Sequence, residues 1–151
     1  MGTAIGQPTA TFVNITSAVG TDLSGIDRPG LTIVNLTGGS YGGSADYVKL
    51  DNANIPGADL HGSYVWFSSM KGANLAGANA AGAKFSTNFT GADLNHVNFT
   101  GATLVTTNFT NANLTGAVLT GANIHNDTWS NTTCPDGTNS DAHGATCIGH
   151  L

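Results

Sequence analysis

Residues 89–114 read FTGADLNHVNFTGATLVTTNFTNANL, with large apolar side chains at every fifth position: Phe89, Leu94, Phe99, Leu104, Phe109 and Leu114. Downstream the series continues through Leu119, Ile124 and Trp129. Upstream, across one step of four residues, it continues through Phe85, Ala80, Leu75, Met70, Val65, Leu60, Ile55 and Leu50. All seventeen centres are apolar in a chain that is 40% hydrophobic, an outcome chance would give about once in several million trials. A period of five fits neither the 3.6 of an α-helix nor the 2 of a plain strand, so it points to an internal repeat.

Two residues before each centre stands a small side chain, ten times Ala, with Asp127 at the last unit as the exception. Gly commonly precedes it, giving GADL at 57–60 and 91–94, GANL at 72–75, GATL at 101–104 and GANI at 121–124. These strings resemble the pentapeptide-repeat family. The resemblance implies an all-β fold, a right-handed quadrilateral parallel β-helix of about five coils with one pentapeptide on each of four sides.

That geometry gives each unit two inward positions, the centre and the small residue two before it, and twenty residues to a turn. Successive turns then stack at about 4.8 Å. Four interior columns follow: Leu50, Met70, Phe89, Phe109, Trp129; Ile55, Leu75, Leu94, Leu114; Leu60, Ala80, Phe99, Leu119; and Val65, Phe85, Leu104, Ile124. No single coil can bury its own apolar side chains, but the columns form a continuous core.

Toward the N-terminus the pattern weakens. Ile26, Leu31, Leu36 and Tyr41 keep the step of five, a slip near Gly42-Gly43-Ser44 precedes Leu50, and residues 1–25 read as a cap or extended segment. The solenoid is thus expected over 26–129. After Trp129 the apolar repeat stops, and 130–151 is expected as a cap loop rich in Asn, Asp and Gly. Cys134 and Cys147 are the two cysteines of the chain and read best as a disulfide closing that loop, with reduced thiols in a flexible tail as the other reading. The segment resembles the C-terminal extension of some secreted bacterial members of the family, which implies an oxidising, extracellular setting.

Composition narrows the function classes. The 151 residues carry 21 Gly, only 9% charged side chains and a formal charge of −5 without one Glu. Arg28, Lys49, Lys71 and Lys84 make too sparse a set of cations for nucleic acid, which needs several to neutralise phosphates. No run of about 18 apolar residues is long enough for membrane insertion as a helix.

No nucleophile elbow, phosphate-binding loop or paired carboxylates stand at a recognisable spacing, so no enzyme activity and no cofactor are expected. His61, His96, His125 and His150 fall on separate units and read as surface residues. Asp136, Asn139, Asp141 and His143 crowd one loop with ligand types suited to Ca²⁺, but their spacing is not that of an EF-hand, and turn chemistry explains them. Eight N-x-Thr triplets, Asn98-Phe99-Thr100 among them, follow from the repeat itself, because Asn precedes a centre and Thr follows it.

The function expected from these features is an extracellular structural or self-associating module that meets its partners through coil ends or terminal segments. Two other roles stand beside it. Some members of the resembled family bind topoisomerases by mimicking DNA, a role that asks for a strongly acidic surface. Stacked outward Thr and Asn, such as Thr90 with Thr110 and Thr100 with Thr120, would also offer a flat face to a glycan or to ice.

Overall fold

The computed structural model describes residues 49–150. Over 49–134 the chain winds as a right-handed quadrilateral β-helix in which every coil pairs in parallel with the next. Asn54 pairs with Asn74, Asn74 with Asp93, and Asp93 with Asn113, so the register repeats at 20, 19 and 20 residues. On one side the extended segments are long enough to form strands: β1 (Tyr64–Ser69), β2 (Lys84–Asn88), β3 (Thr103–Val105) and β4 (Asn123–His125). They form one parallel sheet in the order β1-β2-β3-β4.

The five-residue period has a backbone cause. Two residues after every centre but Phe85 the chain turns a corner with positive φ, at Gly57, Gly62, Gly72, Gly77, Gly91, Gly101 and their equivalents, and at Asn52, Asn111 and Asn126. Gly meets no Cβ penalty in that conformation and Asn is the side chain that best tolerates it. The corner is secured from two sides. On the three sides without strands the amide after the corner donates to the centre's carbonyl, as Ala73 does to Met70 and Ala92 to Phe89. The Asn or Asp before the centre accepts from the amide two residues on, as Asn98 Oδ1 does from Thr100.

Side chains of the four columns form the core, with Ile124 at the last coil only partly buried. Leu50, Ile55, Val65, Met70, Ala80, Phe85, Leu104, Phe109 and Leu114 are all fully buried. In the first column the rings of Phe89 and Phe109 stack at 5.7 Å, and those of Phe109 and Trp129 at 4.6 Å. The inward Ala residues are buried too, from Ala53 to Ala117. Small Ala80 leaves space in its column, and Phe85 meets Phe99 edge to face at 5.9 Å from the neighbouring one.

The expected end of the solenoid at Trp129 needs correction. Thr133 pairs with Asn113, the Leu114 amide donates to Thr133, and the Gly116 amide donates to Pro135. Cys134 therefore occupies the next place in the column of Ile55, Leu75, Leu94 and Leu114, fully buried. The coil continues one unit further because a cysteine is small and apolar enough to serve as a centre. The expected N-terminal segment 1–25, the units of Ile26 to Tyr41 and the slip near Gly42 lie outside the described residues. Among the described residues no helix is long and apolar enough to cross a membrane.

Candidate functional site

Within the described residues two places break the regular wall, the C-terminal end and the side where one residue is missing from the count. At the end, Cys134 and Cys147 form a disulfide with a Cα–Cα distance of 5.3 Å. The loop between them folds back on the last coil. The Cys134 amide donates to Thr138, the Ser140 amide to Thr132, and Thr133 pairs with Asn139 in antiparallel fashion. A short 3₁₀ turn, Ser140–His143, starts at Asn139, whose side chain accepts from the Asp141 amide. Asp141 Oδ1 in turn accepts from the Asn131 amide, so the cap also satisfies a donor at the coil's open edge.

The loop's ligand-type side chains are therefore engaged in turns. Asp136 accepts from the Thr138 amide and hydroxyl and holds His150 at 2.8 Å. Its carboxyl is pushed down to about 2, chiefly by Thr138 and less by His150. Asn139 faces Asn131 and the Asp141 amide. Among the described residues no group of three His, Cys, Asp or Glu side chains lies together as a metal cluster.

The cap covers only half of the last coil. Below the sides of Leu119 and Ile124 there is no further rung, and among the described residues nothing accepts from the amides of Leu119, Gly121 and Ile124. Here burial falls off. Ala122 and Ile124 are only partly buried, and Val118 is 45% exposed beside them. β4 is thus a bare sheet edge next to a small apolar surface.

Asp127 lies on the same coil at an inward place held elsewhere by a small side chain. One carboxylate oxygen accepts from the Thr107 amide at 2.6 Å, while the other is buried without a partner. Burial pushes its carboxyl up to about 6, against the opposing pull of the Thr107 and His125 backbone and the His125 charge. Thr87 and Thr107, in the same column, instead send their hydroxyls to the carbonyls of Val65 and Phe85.

The second irregularity is the four-residue step between Phe85 and Phe89. Trp66 pairs with Ser86 and Ser68 with Thr87, so Phe67 has no counterpart in β2. Phe67 is that level's corner residue, with φ of 50°, and Thr106 is the corner of the coil on the other side, with φ of 55°. Between them β2 runs straight, without a corner, and Thr87 turns inward and is buried. The wall is therefore recessed where two neighbouring corners project. The resulting depression, of about 400 Å³, is lined by Phe67, Ser86, Thr106, Asn88 and Asn108 among others.

The rest of the exterior departs from a free array of amides. Asn74 donates to Asn54, Asn131 to Asn111 and Asn139 to Asn131, coil to coil. The Asn side chains expected on a flat outward face are in large part bonded within the wall. Spacing alone could locate the columns, but it gave no sign of these ladders.

A family model described as Pentapeptide repeats matches the chain in eight copies, over residues 58–86, 68–111 and 87–126. Among solved structures the chain is similar to HetL, a pentapeptide repeat protein involved in heterocyst differentiation regulation from the cyanobacterium Nostoc sp. strain PCC 7120. The identity is 28%, covering 78% of this chain and 51% of that one, with a TM-score of 0.46. It is also similar to QnrB1, a plasmid-mediated fluoroquinolone resistance protein, at 16% identity, covering 74% of this chain and 59% of that one, with a TM-score of 0.56. The chain spans between half and three fifths of the length of these two relatives, and the likeness to QnrB1 bears on fold alone. No curated protein matches the chain.

Proposed function

The chain belongs to the pentapeptide-repeat family, and from that premise we propose that it is a non-enzymatic structural module of the extracellular space that associates with its own copies. The observation that carries this reading is the half-open C-terminal end. Among the described residues the amides of Leu119 and Ile124 are unpaired beside partly exposed apolar side chains, while the stapled loop closes the other half. A bare strand edge is a template for pairing with another chain, and two identical edges can pair about a two-fold axis. Because the loop blocks continuous stacking of coils through this end, a closed pair is favoured there over a growing fibre.

The extracellular setting is supported by the buried disulfide, since such bonds persist in oxidising compartments. The alternative of topoisomerase binding by DNA mimicry gains no support from the surface. Asp59 and Asp93 lie in different columns, Asp127 points inward, and among the described residues no continuous row of acids follows the long axis.

Light scattering coupled to size-exclusion chromatography tests the reading. The intact chain is expected to elute as a dimer at micromolar concentration, and Val118→Lys, which places a charge on the exposed apolar surface beside the bare edge, as a folded monomer. A wild-type chain that remains monomeric when concentrated overturns it.

A further inference from the structure

The recess along β2 combines features that the packing of the wall does not require. At most corners the left-handed position holds Gly or Asn, yet Phe67 stands there with its ring 63% exposed, so the ring is not present to satisfy the backbone. It lies next to Trp66, with ring centroids 6.3 Å apart and planes at 54°, giving the recess an aromatic flank. At its wall the hydroxyls of Ser86 and Thr106 bond each other at 2.8 Å, and Thr106 also donates to the Val105 carbonyl.

Beside them Asn88 and Asn108 pair on successive coils. Each turns its oxygen to its own coil, Asn88 to the Thr90 amide and Asn108 to the Thr110 amide, which leaves the two Nδ2 groups as outward donors one rung apart. Among the described residues no carboxylate or ammonium lines the depression.

From this arrangement we propose that the recess is a binding site for a neutral saccharide. An aromatic face receives the apolar C–H side of a pyranose ring, while a hydroxyl pair and two amide donors match its hydroxyl groups. An anionic sugar would find no cation there, and a cationic one no carboxylate. The missing residue makes the site, because a complete corner between Ser86 and Thr87 would fill the space into which the sugar ring fits. This goes beyond self-association and uses a different surface, so either property can fail without the other.

The test is titration of the intact chain with cellohexaose, maltohexaose and chitohexaose by calorimetry at millimolar ligand, with polygalacturonate as the charged comparison. Phe67→Gly replaces the ring by the residue most corners already use, so the fold is expected to survive, with unchanged circular dichroism. Wild type is expected to bind at least one neutral oligosaccharide, and Phe67→Gly to lose roughly tenfold or more in affinity. Failure of wild type to bind any of the three, undiminished binding by Phe67→Gly, or preference for polygalacturonate overturns the proposal.

Discussion

Cys134 lies one coil beyond Leu114 in the same interior column, and both side chains are completely buried. The first cysteine is thus at once the last core residue of the solenoid and one end of the staple. Reduction acts on both roles, since it frees the cap that covers half of the final rung. Closing a loop with a sequence separation of 13 is expected to contribute about 3 kcal/mol in the chain-entropy model. Chemical denaturation with and without reductant should show that loss, and Cys147→Ala should match the reduced protein.

The pH dependence of stability follows from Asp127. Its folded carboxyl is pushed up to about 6 from an ordinary 3.8, so the folded state takes up a proton more readily than the unfolded chain. Stability from this group is fully present below the ordinary value and is lost as pH rises through about 6. Because the side chain is only half buried, solvent screening limits the effect to about 1–2 kcal/mol. Thermal melts should therefore fall from pH 4 to pH 7, and Asp127→Asn should flatten the decline and raise the melting temperature at neutral pH. Asp136 works in the opposite sense, its contribution being present above its ordinary value and lost as pH falls toward about 2.

Core substitutions should separate sharply from wall substitutions. Leu94→Asp puts an unpaired charge into a filled column and is expected to prevent folding. Phe109→Ala removes the ring between Phe89 and Trp129 and should cost about 3–5 kcal/mol. Thr100→Ser, on an exposed position, should leave the denaturation midpoint unchanged.

A glycine inserted between Ser86 and Thr87 restores the full count of residues on that side and should be tolerated. An insertion into a paired strand ordinarily disrupts its register, but here the neighbouring coils already carry the extra residue as Phe67 and Thr106. The variant is expected to keep its far-ultraviolet spectrum and to unfold cooperatively, with the recess filled. Loss of structure would show that the straight run of β2 is required by the fold.

The columns could be read from spacing because each centre has a single inward place and any apolar residue meets it. Chemistry that depends on hydrogen bonding was harder to see. Asn98 and Asn108 looked like surface residues, yet their side chains secure the corners by accepting backbone amides. Cys134 escaped the series because the polar run Ser130-Asn131-Thr132-Thr133 before it suggested that the repeat had ended, while the structure buries Thr132 and sends its hydroxyl to Phe109. The step of four was visible as a number. That it recesses the wall follows only once the neighbouring corners are seen to project on either side.

A wall of equal rungs has no landmarks, and a molecule lying along it can slide by one coil and find the same contacts again. The shortened side at β2 removes that degeneracy, since within the described coils it occurs at one level alone. Deleting a single residue gives the tower an address, a height at which something can stop.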